Sequence, residues 1–496
     1  MDDLQVIEIA VDRYAVAAFL GYLLLIVGLG IYSARFSSRG ISEFFIGGRK
    51  MNRFVVALSA VVSGRSAWLL LGVTGAAYLN GASAFWAVTG YVIVEIFLFL
   101  YYALRLRNYS EKHDSITIPD FFATRFNDHN GLLRIILVAI ILIFMGGYVS
   151  SQFVAGGKTF ASSFGVAPTT GLILTALIVL LYTILGGFMA VSLTDLVQAL
   201  FMILALVVLP VIIILDAGGW NVIVEQLRTI DPTLADPYAL TFGAAVGSLG
   251  IGLGSPGNPH ILARYMSIDD PGQLRISAVV GTVWNVLMAW GALFIGLAGR
   301  TIIPDAAMLP AGDTENLYPV LASMYLHPVL FGVVVASIFA AIMSTADSQL
   351  LVAASGVVRD VYQKLLKKGE EISQRKLVLY SRIVIVLLVA GSLVIGYLSE
   401  DLVYWLVLFA WAGLGASLGP TSILALYWKR TTRAGVIAGL IAGTCTTMIW
   451  YFIPELRALV YELIPGFTAG FLATVIVSLF TQPPDNAEHQ ILDMKG

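Results

Sequence analysis

The chain has 496 residues, of which 58% are hydrophobic and only 12% are charged, and its mean hydropathy is +0.87. Too few polar side chains remain to cover the surface of a soluble domain, so this composition excludes a soluble globular protein. The net charge of −2 and the lack of a basic, aromatic-rich patch give no indication of nucleic acid as a partner.

Apolar stretches long enough to cross a bilayer, about 20 residues each, recur along the chain. We number them spans 1 to 13, and they cover residues 14–34, 54–79, 83–104, 133–157, 167–187, 190–215, 238–258, 276–299, 328–356, 380–398, 402–427, 434–453 and 464–480. The sequence therefore predicts an all-α polytopic membrane protein with about 13 transmembrane helices. They form one transmembrane domain over residues 1–482, followed by a polar tail, 483–496, that we expect to be disordered.

The basic residues predict the orientation of the chain in the membrane. With the N-terminus outside, most of the 29 Lys and Arg residues, Arg264 among them, fall in loops on the inner side. Cytoplasmic loops carry such an excess, so we expect a cytoplasmic C-terminus in the plasma (inner) membrane of the cell, surrounded by lipid bilayer. In the polar stretch 105–132, the residues around Pro119 predict a short interfacial helix that is entered through this proline.

Two spans are interrupted near their middle or end. Span 2 carries Gly64 and Arg65 at its centre, and span 7 runs into a segment with repeated glycines and two prolines, 250–260. Broken backbone at membrane depth is tolerated only where protein or a cavity surrounds it, and a matching pair of broken helices is typical of inverted-repeat transporters. This predicts one five-helix repeat at about 54–215 and a second at about 238–427, with spans 1, 12 and 13 peripheral. The alternative is that the glycines only allow close helix packing.

The intramembrane charges are few, and each requires a partner. Besides Arg65, the charged residues that lie beyond the first three positions of a span are Glu95, Asp195 and Asp347. Asp347 shares one helix face with Ser344 and Ser348, because residues three and four apart are neighbours on a helix. Carboxylate and hydroxyl oxygens suit a desolvated alkali cation. The alternative is that the hydroxyls bond to their own helix and the aspartates cap nearby amides.

A family is recognisable in a series of motifs that runs from Gly47 to span 13. These motifs include Gly47-Gly48-Arg49, Ala57-Leu58-Ser59-Ala60, Trp68-Leu69-Leu70, Ile118-Pro119-Asp120-Phe121-Phe122, Gly186-Gly187-Phe188, Thr194-Asp195, Pro259-His260-Ile261-Leu262-Ala263-Arg264-Tyr265-Met266, Met343-Ser344-Thr345 and Trp411-Ala412-Gly413. The chain resembles the sodium/solute symporters, and most closely their bacterial proline-transporting members. The resemblance implies thirteen helices with a leucine-transporter-like core of two inverted five-helix repeats. It also implies sodium-coupled symport of proline or a related small amino acid into the cell by alternating access.

The resemblance also implies the positions of the binding residues. It places the principal sodium site at the backbone of Val62 and Arg65 together with Ala341, Ser344 and Thr345. A second sodium site, present in some members, is similar to Asp195, Ser344, Asp347 and Ser348. The small-molecule solute is expected against Ser66, Trp68, Tyr148, Ile251, Ser255 and Pro259, where Ile251 and Ser255 stand in place of two aromatic residues.

Span 2 departs from the proline-transporting members at its break. Gly64 occupies the position of an aspartate, and Arg65 that of an apolar residue. One hypothesis is that Arg65 pairs with Asp347 or Glu95 and weakens or replaces the principal sodium site. The other is that its side chain snorkels to the inner face while its carbonyl still binds sodium.

Alternative functions remain open at this point. One is a sodium-independent or proton-coupled carrier of another amino or organic acid, in which Arg65 replaces the sodium ion, and another is a transporter-like solute receptor. An enzyme is not expected, because the five histidines show no metal-ligand spacing and Cys445 is the single cysteine. The sequence leaves the oligomeric state open.

Overall fold

A computed structural model describes residues 6–37, 40–399 and 402–495. Within these ranges all regular secondary structure is helical, apart from one isolated β-bridge between Met51 and Ile268. The longer α-helices are Arg13–Ser37, Phe85–Phe97, Leu132–Phe164, Pro168–Asp216, Leu274–Ile302, Pro328–Ser355, Gln374–Tyr397, Val403–Tyr427, Arg433–Phe452 and Leu463–Phe480. The shorter ones are Ile41–Ile46, Arg53–Ser63, Thr74–Asn80, Ala103–Lys112, Ile118–Arg125, Trp220–Ile230, Phe242–Gly250, Pro259–Ser267, Leu317–Tyr325, Pro454–Arg457 and Ala487–Asp493.

Ten helical stretches in the described part of the chain are long and apolar enough to cross a membrane. This number is lower than the thirteen predicted spans for three reasons. The second half of span 2 continues into span 3 as one stretch, Trp68–Lys112, and spans 5 and 6 form another, Pro168–Asp216, which turns sharply at Gly187 with a φ of 55°. Span 7 is divided into pieces that are each too short to count. The number of thirteen helices stays a prediction, whereas the all-helical membrane architecture is confirmed.

Burial separates central helices from those that face the lipid. In spans 9 and 11, 83% of the residues in the most apolar window are buried inside the protein. The corresponding value is 28% for spans 1, 10 and 13 and 33% for span 12. Spans 9 and 11 therefore lie in the interior, where side chains on any face can take part in a site.

The predicted short helix is present at Ile118–Arg125, but most of it is buried in the protein rather than lying on the membrane surface. Its Asp120 receives hydrogen bonds from Arg134 in span 4, at 2.6 Å, and from Arg359 at the end of span 9, at 3.0 Å. Burial tends to raise the pKa of the Asp120 carboxyl, but the guanidinium groups of Arg359 and Arg134 outweigh it and hold that pKa below its usual value. This ion cluster ties the ends of spans 4 and 9 together.

The expectation of a disordered tail is wrong. Residues Ala487–Asp493 form a helix, and Asp493 accepts hydrogen bonds from Lys112, at 2.5 Å, and His113, at 3.0 Å. Gln490 accepts a hydrogen bond of 2.8 Å from buried Arg125. These long-range contacts order a segment whose polar composition alone predicts disorder.

Candidate functional site

The break in span 2 lies between the helix Arg53–Ser63 and the helical turns that begin at Trp68. Ser66 adopts a positive φ of 53°, which is uncommon for a residue with a side chain. Its hydroxyl oxygen accepts a hydrogen bond of 3.1 Å from the Trp68 amide, and the Ala67 amide donates to Gln152 Oε1 at 3.0 Å. Side chains therefore satisfy amides that the interrupted helix leaves without partners.

Arg65 is buried at this break and pairs with Glu95 of span 3. Its Nη2 donates to Glu95 Oε2 at 2.7 Å, and the two side chains are only 2% and 3% exposed. The same carboxylate oxygen accepts a hydrogen bond of 2.5 Å from Asn285 Nδ2. Of the two expected partners the structure selects Glu95 over Asp347, and the expectation that the Arg65 side chain snorkels to the inner face is wrong.

Gly64, the other unusual residue of the break, lies against the phenol of Tyr91. A Cβ atom at position 64 would lie 2.8 Å from Tyr91 Oη, so a larger residue there would displace the tyrosine. The Tyr91 hydroxyl donates to the Gly64 carbonyl at 3.1 Å, and the Tyr91 ring centroid lies 3.5 Å from Arg65 Cζ. Tyr91 therefore packs against both unusual residues of the break, Gly64 and Arg65.

A stack of four aromatic side chains connects this break with spans 3 and 11. Trp68 stacks on Tyr91, with ring centroids 6.4 Å apart, and on Tyr404, at 5.9 Å. Tyr91 also stacks on Trp411, at 5.4 Å. The Trp411 indole donates to the Ile251 carbonyl at 2.7 Å, so the stack reaches the break in span 7.

Span 7 is interrupted as expected. The helix Phe242–Gly250 passes into the tighter turns Ile251–Gly257, and a new helix begins at Pro259. Asn258 Nδ2 donates to the Gly254 carbonyl at 2.8 Å inside the break. A Cβ atom at Gly254 would lie 1.9 Å from Trp411 Nε1, so this glycine also permits the close packing that was the alternative interpretation.

Replacing Gly254 with alanine is therefore expected to push the Trp411 indole away and to break its hydrogen bond to Ile251. Such overpacking costs about 1–3 kcal/mol. We expect a lower melting temperature of the purified protein in detergent and reduced solute uptake. Gly391→Ala is the matched control, since a Cβ there meets nothing within 4 Å, and equal melting of the two variants would contradict the prediction.

Span 9 crosses the break in span 2. The Thr345 hydroxyl donates to the Ser63 carbonyl at 2.9 Å, which places Thr345 next to the backbone of Val62. The Ser344 hydroxyl donates to the Ala341 carbonyl within span 9 at 3.1 Å. The residues expected to bind the first sodium ion are all buried, namely Val62, Arg65, Ala341, Ser344 and Thr345.

The residues expected to form a second sodium site surround a positively charged side chain, that of Arg264. Arg264, predicted to lie in an inner loop, is only 1% exposed and donates from Nη2 to Asp195 Oδ2 at 3.4 Å and to the Ser348 hydroxyl. Its Nε donates to Ser59 at 3.1 Å, and Ser59 donates to Asp195 at 2.5 Å. The prediction for Arg264 is wrong because the helix after Pro259 continues into the interior.

Asp347 lies in the same buried group. Its carboxylate accepts hydrogen bonds from Tyr182 of span 5, at 2.6 Å, and from the neighbouring Ser348, at 3.0 Å. Ser348 also donates to the Ser344 carbonyl at 2.6 Å, as the back-bonding alternative expected. The guanidinium of Arg264 thus provides positive charge at the position where the sequence predicted a sodium ion.

The residues expected to contact the solute are only partly brought together. Tyr148 donates to the Ser66 hydroxyl at 3.4 Å, and Trp68 is linked to Ile251 through the aromatic stack. Ser255 is fully buried in the break of span 7. Pro259 instead lines a narrow crevice beside the helix Ile118–Arg125. Tyr91 and Tyr404 were missed, because stacking partners so far apart in sequence leave no local pattern.

A cavity of about 640 Å³ lies next to the aromatic stack. Ile251 and Tyr404 line it, together with residues of the predicted outer loops, including Arg300 and Glu462. Because Tyr404 stacks on Trp68, the cavity reaches the aromatic side chains that adjoin the break in span 2.

Two interrupted helices that are joined in the interior of an all-helical membrane protein define a secondary transporter. The profile of the sodium:solute symporter family matches residues 44–443. The chain therefore belongs to the sodium:solute symporter family.

A relative of known name agrees with this assignment, and solved structures share the fold. The chain is 37% identical over 475 residues to the sodium/proline symporter of Staphylococcus aureus strain JH9, in an alignment that covers 93% of this chain and 92% of the relative. The substrate-bound, outward-open structure of a Na⁺-coupled sialic acid symporter superposes with a TM-score of 0.80 at 18% identity, covering 95% of this chain and 99% of that one. MhsT in complex with L-phenylalanine gives a TM-score of 0.55 at 12% identity, with 87% and 98% coverage. The protein is thus a multi-pass membrane protein and a sodium-coupled solute symporter, and not an enzyme.

Proposed function

We propose that the protein carries proline or a related small amino acid into the cell together with sodium, by alternating access. The observation that carries the proposal is the connection between the two breaks: Tyr91 and Trp411 link the carbonyl of Gly64 to that of Ile251. Proline as the solute is supported by the name of the relative at 37% identity. The predicted loop charges support the plasma membrane, with the N-terminus outside.

The first sodium site is proposed at the crossing of spans 2 and 9. Ala341, Ser344 and Thr345 offer a carbonyl and two hydroxyl oxygens, and the carbonyls of Val62 and Arg65 lie on the other helix. Such uncharged, hard oxygens suit an alkali cation. Because the ion pair with Glu95 holds the Arg65 side chain against span 3, its charge is directed away from this oxygen set, which favours sodium coupling over the surrogate-cation alternative.

Uptake into proteoliposomes tests the proposal. Purified protein is reconstituted, and labelled proline is supplied with an inward gradient of sodium, of protons, or of neither. Accumulation above equilibrium only with the sodium gradient is the expected result. Binding without accumulation would instead indicate a receptor. Accumulation that does not depend on the sodium gradient would indicate a sodium-independent or proton-coupled carrier. A screen of unlabelled amino and organic acids as competitors defines the preferred solute.

Replacing Thr345 with valine tests the sodium site directly. The substitution keeps the side-chain shape but removes the hydroxyl that bonds to Ser63, so we expect the sodium concentration for half-maximal uptake to rise about tenfold or more. Proline uptake at saturating sodium should change much less. Thr159→Val is the matched control, because its buried hydroxyl donates to Ala155 of the same helix, Leu132–Phe164. An unchanged sodium dependence in Thr345→Val would place the ion elsewhere.

A further inference from the structure

The guanidinium of Arg65 is held by Glu95 and Tyr91, and Glu95 is itself held by Asn285. Nη2 donates to Glu95 at 2.7 Å, and one face of the group lies on the Tyr91 ring, with 3.5 Å between Cζ and the ring centroid. Asn285 donates to the same Glu95 oxygen at 2.5 Å and fixes the carboxylate in place. A buried charge that is fixed in this way is prepared to bind a ligand without further ordering.

The rest of the guanidinium has no partner. Nε and Nη1 of Arg65 are buried and make no hydrogen bond to the described residues of the chain. Arginine carries five N–H donors, and buried donors are nearly always paired in folded proteins. Two nitrogens that keep their hydrogens available therefore point to an acceptor that binds from outside the chain.

Arg65 adjoins residues that are expected to bind the solute. Ser66 and Trp68 follow Arg65 along the break, and Tyr148 donates to Ser66. Trp68 and Tyr91 offer stacked rings as an apolar wall next to the charge. Together they would match a small molecule that has an anionic group on an apolar body.

The local charge balance favours a zwitterion over a simple anion. Glu95 already neutralises Arg65, and Asn285 and Tyr91 are uncharged hydrogen-bonding groups. A carboxylate that arrives alone would bring an uncompensated negative charge into the interior, which is costly. An amino acid brings its own ammonium group, so the site stays neutral overall.

The geometry points to Arg65 as the residue that binds the carboxylate of the carried solute, with Glu95, Asn285 and Tyr91 as positioning residues. This inference deepens the proposed function and rests on it in taking the solute to be a small amino acid. It assigns the unusual arginine to solute selection rather than to replacement of sodium. Arginine pairs strongly with a carboxylate but much more weakly with the uncharged amide of the same shape.

Acid and amide pairs test this assignment. The melting temperature of the purified protein is measured in saturating sodium against rising concentrations of proline and prolinamide, alanine and alaninamide, and lactate and lactamide. For the wild type we expect each acid to stabilise at a concentration at least about 30-fold below its amide, and lactate, which lacks the ammonium group, to need a higher concentration than proline or alanine. In the double variant R65M/E95Q, which removes both charges together, this preference should fall to about one. R65K, which keeps a charge beside Glu95 but has fewer donors, should retain an intermediate preference.

The outcomes distinguish failure of the proposal that proline is the solute from failure of the inference that Arg65 binds the carboxylate of the solute. R107K changes another buried arginine paired with a glutamate, and it should leave the acid preference intact. Stabilisation by an acid other than proline, with the same dependence on Arg65, would support the inference and overturn proline as the solute. An amide as effective as its acid, an acid preference that survives in R65M/E95Q, or a wild type that no acid stabilises would each overturn the inference. Melting without ligand shows whether every variant is folded.

Discussion

Replacing Glu95 with glutamine is expected to destabilise the protein by about 3–5 kcal/mol, because the change leaves Arg65 as a buried charge without its counter-ion. Neither side chain is more than 3% exposed, so water cannot take over the lost interaction. Asn285 would also lose an ionic acceptor for its 2.5 Å hydrogen bond. The measurement is thermal unfolding of the purified protein in detergent, followed by reconstituted uptake.

Two further variants show whether the lower stability of Glu95→Gln comes from the unpaired charge of Arg65. The double variant R65M/E95Q removes both charges, so it should recover most of the stability, since no buried charge is left without a partner. Glu488→Gln removes the partner of Lys429 in an exposed pair and should melt with the wild type. If Glu95→Gln also melts with the wild type, the pair does not hold Arg65 in place.

The breaks in spans 2 and 7 could be predicted because their signals are local. Gly64 lies at the centre of an apolar span, and glycines and prolines crowd the segment 250–260, so the chain cannot continue as a regular helix there. The cost of an unpaired charge also limited the partners of Arg65 to two carboxylates. Choosing Glu95 over Asp347 required the rotation of span 3 about its axis, which no local pattern specifies.

Other features depended on contacts between distant segments. Arg264 follows a proline-rich break, so composition predicted a loop, whereas the helix Pro259–Ser267 carries it to Asp195. The same applies to the tail, whose helix is ordered by Lys112 and Arg125. In each case composition predicts that a polar residue is exposed, but a partner far away in the sequence holds it in the interior.

Replacing Arg264 with methionine is expected to turn the second buried group into a working sodium site. The guanidinium lies between Asp195 and Ser348, with Asp347 beside it, and its removal leaves two carboxylates without a cation. Carboxylate and hydroxyl oxygens are ligands that sodium accepts, so the ion can replace the lost charge. We therefore expect a variant that is unstable in choline chloride and is stabilised by sodium. An ion present at 100 times its dissociation constant stabilises by about 2.7 kcal/mol.

The dependence of melting temperature and of uptake on sodium distinguishes this result from simple damage. In Arg264→Met, the Hill coefficient for sodium in uptake should rise by about one relative to the wild type, because a second ion now binds during the cycle. Adding Asp195→Asn to Arg264→Met removes one carboxylate, and it should weaken the new sodium dependence while restoring part of the stability in choline. If sodium does not rescue Arg264→Met, the guanidinium has a structural role and links the helix Pro259–Ser267 to spans 2, 6 and 9. If sodium does rescue it, the arginine occupies the place of an ion, and the number of sodium ions carried per solute is set by this one side chain.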